Sequence, residues 1–177
     1  MATHPAAAAA GHKDPGNQQV LTFELGNETY GVDILRVREI RGWTSVTRIP
    51  QAPPHILGVL NLRGSIVPVV DLRMRFALER AEYTKVTVII VLSVHSQAGR
   101  REVGVVVDGV SDVVDFSAAD IKQAPDFGTQ FETDYIRGLV PAGERMVVLL
   151  DIDRLIGAQP PTLSASQQGP PPAVEAA

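Results

Sequence analysis

The sequence contains an internal repeat, which constrains the fold more than any other feature. A block of apolar, β-branched residues at 56–71 has a counterpart at 136–151, and in each copy an isoleucine lies 15 residues before an aspartate. A repeated block of this kind is typical of a supersecondary unit that is built twice. The matched positions are Ile56, Gly58, Val59, Leu60 and Asp71 in the first copy, and Ile136, Gly138, Leu139, Val140 and Asp151 in the second.

A second, weaker echo has an offset of 73 residues. Coincidence remains an alternative for it, because the matched residues are few and scattered. They are Gly31, Val37, Glu39 and Ile40 in the first half, and Gly104, Val110, Asp112 and Val113 in the second. The motif Gln-Ala-Pro also occurs twice, at 51–53 and 123–125.

The apolar residues between the two ends of the chain alternate with period two, which predicts β-strands that pair as hairpins. Strands this short leave fewer open edges when they close into barrels. We therefore expect an all-β fold of two related barrels, each of about five strands, with only short helices. The predicted strand pairs are 20–25 with 29–32, 59–62 with 66–70, 86–94 with 102–107, and 139–140 with 146–150.

Some local signals refine this prediction. Pro68 cannot donate a backbone hydrogen bond, so its strand should lie at a sheet edge or carry a bulge there. A polar loop is expected at 95–101, between the predicted strands 86–94 and 102–107. Asp33, Asp71 and Asp151 each precede a short helical signal, where an aspartate side chain can cap the first turn.

Composition limits the possible functions. The chain of 177 residues has no cysteine, which excludes disulfides and thiolate chemistry and is compatible with a reducing cytoplasm. Its net charge of -4 is unfavourable for general nucleic-acid binding. No apolar run approaches the roughly 18 residues that a membrane helix needs, so direct membrane insertion is not expected.

The two ends of the chain are rich in Ala, Pro, Gly and polar residues. Such segments bury too little apolar surface to offset the entropy of ordering. We expect flexible tails at 1–17 and 158–177 around a domain at 18–157. The N-terminal end lacks the basic and apolar segments of a secretory signal.

No catalytic, cofactor or metal site is predicted. The four histidines are His4, His12, His55 and His95, and their spacing does not match any metal-ligand pattern. The sequence has no phosphate-binding loop, dinucleotide fingerprint or nucleophile elbow. Asp71 and Asp151 could be a pair of acids, but their matched places in the repeat favour helix capping.

Arg63 is the residue whose role the pattern leaves open. It lies between Leu62 and Gly64 in a predicted turn, where most arginines are simply solvated. Arginine is also enriched at protein interfaces, because its planar fork binds carboxylates with two hydrogen bonds. Glu39 is a candidate counter-charge, although the sequence cannot give their distance.

Four blocks, in order, resemble the CheW family of bacterial chemotaxis coupling proteins. The most specific is residues 58–73, GVLNLRGSIVPVVDLR, and the first is residues 30–42, YGVDILRVREIRG. Residues 107–113, VDGVSDV, and 143–146, GERM, extend the similarity. The resemblance covers about 18–156, and it implies two intertwined, SH3-like five-stranded barrels without catalytic activity.

The resemblance also implies partners and sites. Family members act in the cytoplasm at membrane-associated chemoreceptor clusters, where they join the cytoplasmic tips of the receptors to the regulatory domain of the histidine kinase CheA. The receptor-binding surface would be a groove between the lobes, at or near Val37, Glu39, Ile40, Gly58 and Arg63.

Kinase contacts would involve Lys122 and Phe127, and barrel ends would pair in rings with kinase regulatory domains or other coupling proteins. Two alternatives remain open: an adaptor in an array that controls motility or development rather than chemotaxis, and an unrelated β-barrel enzyme. The receptor that co-purifies with the chain would test the first, and turnover by purified protein would support the second.

Overall fold

The computed structural model describes residues 16–79, 82–124 and 134–157. These residues form ten strands, named β1 to β10 in chain order, and few helical turns. The strands are Asn17–Leu25, Glu28–Asp33, Val37–Gly42, Ile56–Leu62, Ser65–Asp71, Val88–Ser96, Gly99–Val107, Gly109–Ser117, Ile136–Ala142 and Arg145–Leu150. The helical segments are Ile34–Arg36, α1 at Leu72–Arg75, Ala118–Asp120, and a π-helical turn at Asp153–Gly157.

The strands form two five-stranded sheets, and each sheet curls into one lobe. Lobe 1 has the order β8-β1-β2-β10-β9, and lobe 2 has the order β3-β6-β7-β5-β4. An isolated backbone bridge closes each lobe, between Thr47 and Val59 in lobe 2 and between Lys122 and Leu139 in lobe 1. The prediction of two five-stranded barrels is therefore confirmed.

The two lobes exchange a strand. The hairpin β1–β2 belongs to lobe 1, but the next strand, β3, pairs with β6 of lobe 2. In the same way, the hairpin β6–β7 belongs to lobe 2, and the next strand, β8, pairs with β1 of lobe 1. The weaker sequence echo therefore matches the two exchanged strands, and the barrels are intertwined as the resemblance implied.

A large apolar core lies between the two sheets and joins the lobes. It contains Phe23 and Leu25 from lobe 1 together with Leu92 and Val105 from lobe 2, all of them buried. Each barrel also has a smaller interior core, around Val67 and Ile89 in lobe 2 and around Val147 and Phe116 in lobe 1. Because the largest core is shared, neither lobe can separate without exposing apolar surface.

A stack of four aromatic rings also crosses between the lobes. Phe23, Tyr30 and Tyr135 come from lobe 1, and Phe76 follows α1 of lobe 2, with ring centroids 6.0, 5.5 and 5.4 Å apart along the stack. Burial raises the pKa of the Tyr30 hydroxyl, and the nearby Glu28 and Tyr135 raise it further. The stack adds directional packing to the shared core.

Glycines occupy equivalent positions where two strands approach closely. Gly31 pairs with Leu149 in the parallel pair β2–β10, and Gly104 pairs with Val69 in the parallel pair β7–β5. A Cβ atom at either glycine would lie 3.0 Å from a neighbouring side chain. The two lobes therefore use the same small residue at the same crowded contact.

The aspartates predicted to cap short helices do so. Asp33 accepts a hydrogen bond from the Leu35 amide at 2.9 Å, and Asp71 accepts one from the Arg73 amide at 2.9 Å. Asp151, the repeat counterpart of Asp71, accepts one from the Arg154 amide at 3.1 Å.

Other predictions need correction. β5, which contains Pro68, is not an edge strand but lies between β4 and β7, and the bulge of its pair with β4 lies between Ile56 and Gly58. The parallel ladder with β7 begins at Val69, so the proline precedes it. The polar loop predicted at 95–101 is instead a tight hairpin, because β6 and β7 stay paired up to Ser96 and Gly99.

The strands β3 and β8 were not predicted as strands. The expected tails lie outside the described residues except for Gly16 and Asn17, and Asn17 already belongs to β1.

Candidate functional site

Two of the predicted receptor-binding residues lie on the exchanged strand β3. Val37 is paired with Leu92 and Ile40 with Ile90, and both of these β6 residues belong to the shared core. Paired residues on adjacent strands point to the same face of a sheet. Val37 and Ile40 therefore lie on the face of lobe 2 that adjoins lobe 1, and Ile40 is 45% exposed there.

A bulge makes this arrangement possible. The pairing of β3 with β6 shifts between Val37 and Glu39, so one extra residue is inserted in β3. An extra residue reverses which side chains point to each face beyond it. Glu39 is consequently paired with Val91 and shares its face with the barrel interior of lobe 2, opposite to Ile40.

Arg63 and Glu39 form an ion pair. The Arg63 Nη2 atom donates to Glu39 Oε2 at 2.8 Å, and Arg41 Nη1 lies 3.8 Å from the other carboxylate oxygen. The pair joins the turn between β4 and β5 to the exchanged strand. The sequence-based suggestion that Glu39 is the counter-charge of Arg63 is confirmed.

The backbone of Arg63 has a conformation that is unusual for its residue type. Its φ angle is 52°, followed by 86° at Gly64, and the Gly64 amide donates to Asn61 Oδ1 at 2.9 Å. Residues other than Gly, Asn and Asp rarely adopt such left-handed backbone angles. The turn therefore holds a conformationally disfavoured arginine whose side chain is 84% exposed.

Gly58 has a different environment from the other predicted receptor-binding residues. It is buried with φ 151°, and an added Cβ would overlap the carbonyl oxygen of Thr47. Its repeat counterpart, Gly138, has φ 157° and approaches the carbonyl oxygen of Lys122 in the same way. This glycine allows the backbone bridge that closes the barrel, so its environment supports a structural role.

We call the region of Val37, Glu39, Ile40 and Arg63 the β3 surface; Val37 and Ile40 lie on one face of β3, and the Glu39–Arg63 pair lies on the other. Two exposed apolar residues that the sequence analysis missed flank it along the chain. Leu35, in the turn before β3, is 74% exposed, and Ile66, beside the Arg63 turn on β5, is 65% exposed. The alternation of β5 could have revealed Ile66, because Val67 and Val69 on either side of Pro68 point inward.

Charge distinguishes β3 from its counterpart β8. β3 carries Arg38, Glu39 and Arg41, and Arg63 lies against it. β8 carries Asp112 and Asp115 and no basic residue. With Arg38 and Arg41 beside it, the β3 surface therefore combines the exposed apolar Ile40 with a net positive charge, which suits a partner segment with apolar and acidic residues.

The predicted kinase-binding residues are only partly visible. Lys122 is exposed, and its backbone forms two hydrogen bonds with Leu139, at 2.8 and 2.7 Å. This bridge places Lys122 where the segment after β8 meets β9, which is the closing seam of lobe 1. Phe127 lies outside the described residues.

The described part of the chain offers few groups for metal binding or catalysis. It contains no group of three or more His, Cys, Asp or Glu side chains that could hold a metal ion. The buried carboxylate of Asp71 accepts hydrogen bonds from the Arg73 amide and, at 3.1 Å, from the Tyr83 hydroxyl. Within the described residues, no helix is both long and apolar enough to span a membrane.

Comparison with known proteins places this arrangement in a family. The family model described as the CheW-like domain matches residues 19–159. The chain is 51% identical over 142 residues to the chemotaxis protein CheW of Klebsiella aerogenes, covering 80% of this chain and 83% of that protein. It is 40% identical over 151 residues to CheW of Rhizobium meliloti, covering 85% and 95%.

A solved structure has the same fold. The crystal structure of the scaffolding protein TtCheW from Thermoanaerobacter tengcongensis matches with a TM-score of 0.71 at 30% identity, covering 84% of this chain and 93% of that one. The family resemblance drawn from the four sequence blocks is confirmed. The chain belongs to the CheW family, whose members are non-catalytic adaptors of bacterial chemotaxis.

Proposed function

We propose that this chain joins the cytoplasmic tips of chemoreceptors to the histidine kinase CheA at membrane-associated receptor clusters. The main support for the proposal is that the β3 surface exposes an apolar residue beside charged ones. The relatives of the chain, which are named chemotaxis and scaffolding proteins, support it as well. An adaptor needs at least two separate surfaces on one stable body. Two barrels that share a core provide such a body.

The β3 surface is the proposed receptor-binding site. Ile40 supplies exposed apolar area, and Arg63 supplies a cation whose position is set by its 2.8 Å ion pair with Glu39. An amphipathic receptor helix would place apolar residues on Ile40 and acidic residues near the arginines. Gly58 would contribute indirectly, since it lets β4 lie close enough to Thr47 to support the turn.

The proposed kinase-binding site lies on lobe 1, at the closing seam that contains Lys122, with Phe127 in the segment that follows. The two proposed sites are thus on different lobes. The shared core and the exchanged strands hold the two sites in one body. Ring assembly through barrel ends would then link several such units.

Separate binding measurements test this proposal. Membranes that contain the receptors and the purified regulatory domain of the kinase would each be mixed with the protein, and co-sedimentation and calorimetry would measure binding. We expect both to bind, Arg63→Ala to weaken only receptor binding, and Lys122→Ala and Phe127→Ala to weaken only kinase binding. A folded protein that binds neither partner would contradict the proposed function.

A further inference from the structure

Two ion pairs connect the lobes at the points where the chain crosses from one to the other. Arg36 donates to Asp153 with both terminal nitrogens, at 3.2 and 2.7 Å, and Arg73 Nε donates to Asp108 Oδ1 at 2.7 Å. All four side chains are less than one-third exposed. Ion pairs with this geometry and partial burial are more constrained than ordinary surface pairs.

The two pairs occupy equivalent places with opposite polarity. Arg36 is the last residue before β3, and Asp108 is the last residue before β8, so each precedes an exchanged strand. Their partners, Asp153 and Arg73, lie 80 residues apart, at matching positions two residues after the capping aspartates Asp151 and Asp71. In one pair the arginine is on the crossover, and in the other the aspartate is.

Each pair also binds the hairpin that receives the exchanged strand. Asp153 Oδ1 accepts a hydrogen bond from the His95 amide at 2.7 Å, and Arg36 Nη1 donates to the Ser93 carbonyl at 3.3 Å; both residues belong to β6. At the other crossover, Asp108 Oδ2 accepts from the Gly26 amide, which follows β1, at 2.8 Å. Each ion pair therefore fixes the start of an exchanged strand to its new neighbour.

The Arg36–Asp153 pair lies beside the bulge of β3. Val37, the next residue, is paired with Leu92, and the register shifts before Glu39. A slip of one residue at this point would turn Ile40 and Glu39 to the wrong faces. The contact that holds Arg36, the residue immediately before the strand, therefore favours the register that orients Ile40 and Glu39.

We infer that Asp153, in the C-terminal turn, is a positioning residue for the β3 surface and acts on it through Arg36. Asp153 need not touch a partner to do so. The inference rests on the proposed function for the identity of the partner, but the positioning itself can be measured without any partner.

The test compares three variants with the unmodified chain. Asp153→Ala removes the carboxylate, and the double variant Arg36→Asp with Asp153→Arg restores an ion pair in the polarity already used by Asp108 and Arg73. Arg145→Ala is the matched control, because it breaks an exposed ion pair with Glu24, whose backbone pairs with β8 and not with the Arg36–Asp153 crossover. The readouts are amide hydrogen exchange in β3 and in β9, and co-sedimentation with receptor-containing membranes.

We expect Asp153→Ala to speed amide exchange in β3 by roughly tenfold, as loss of a charged hydrogen bond would, without a matching change in β9. Receptor binding should weaken in parallel. The double variant should recover part of both properties, because it restores the ion pair but not the hydrogen bonds to the His95 amide and the Ser93 carbonyl. Arg145→Ala should alter neither property. If Asp153→Ala does not fold, Asp153→Glu, which keeps the charge but shifts the oxygens, is measured in the same way.

Unchanged exchange in β3 of Asp153→Ala would overturn the inference, and so would an equal increase in β9, which would mark a general loss of stability. Faster exchange in β3 with full receptor binding would support the positioning role. The same result would contradict the proposed receptor site on β3. The experiment therefore distinguishes failure of the positioning role from failure of the proposed function.

Discussion

The guanidinium of Arg63 lies 2.8 Å from the carboxylate of Glu39, so the turn between β4 and β5 is held against the exchanged strand β3. The arginine is disfavoured by its left-handed backbone and gains little from an exposed ion pair. Its presence at this turn is therefore better explained by binding than by folding.

Arg63→Ala should abolish most receptor binding while changing the free energy of unfolding by no more than about 0.5 kcal/mol, since the side chain is exposed. Co-sedimentation and thermal unfolding measure the two effects. Arg63→Asn is the matched variant: asparagine tolerates the positive φ, so the protein should be at least as stable yet equally defective in binding. A sharp fall in the melting temperature of both variants would show that Arg63 is structural.

Gly58→Ala should destabilise the protein by about 2–4 kcal/mol, because a side chain would collide with the Thr47 backbone and require a strained φ. Urea unfolding measures the loss. Gly42→Ala is the control, since a Cβ there would meet no atom within 4 Å. If Gly58→Ala were fully stable yet failed to bind receptors, Gly58 would be a direct contact instead.

Asp108→Ala should lower the free energy of unfolding by about 1–3 kcal/mol, because the Gly26 amide and the Arg73 guanidinium would both lose their partner. A double-mutant cycle with Arg73→Met separates the two losses. Additive effects within about 0.5 kcal/mol would mean that the ion pair contributes nothing of its own.

The pH dependence of stability should include a contribution from His55. Burial, and secondarily the nearby Arg75, lower the pKa of His55 below its usual value of 6.5. Below about pH 6.5 the unfolded chain therefore binds a proton more readily than the folded chain, and stability falls as the pH decreases. Above that pH both forms are neutral and the effect disappears.

Urea midpoints at pH 7.5 and 5.5 measure this contribution, with His55→Gln as the comparison. The variant should lose part of the decrease between the two pH values. An identical decrease in both proteins would rule out His55 as a source of it.

The repeat in the sequence predicted the architecture because the backbone bridge that closes each barrel requires a glycine at the same position of the repeat. Gly58 and Gly138 are matched since each lies against a backbone carbonyl, of Thr47 and Lys122 respectively. Requirements of this kind are local, so they can be read from residue type and spacing.

The strand exchange could not be read in this way. In β6, Ile89 and Val91 fill the barrel of lobe 2, whereas Ile90 and Leu92 fill the shared core. A strand buried on both faces is a continuous apolar run, and its pattern does not say which sheet lies on which side. β3 and β8 were missed because their charged residues and bulges disrupt the alternation that marks a strand.

The candidate site shows the same limit. Arg63 and Glu39 were singled out by residue type, but their contact depends on β3 belonging to lobe 2, which is a consequence of the exchange. Leu35 was missed because an apolar residue in an apolar segment gives no sign of exposure until the fold is known, whereas the alternation of β5 could have revealed Ile66.

The most direct test of the central claim is reconstitution of receptor-controlled kinase activity. Receptor-containing membranes, the histidine kinase and this protein would be combined, and kinase autophosphorylation would be measured with each component omitted in turn. We predict strong activation only when all three are present, and its loss with Arg63→Ala. Equal kinase activity with and without the folded protein would contradict the account.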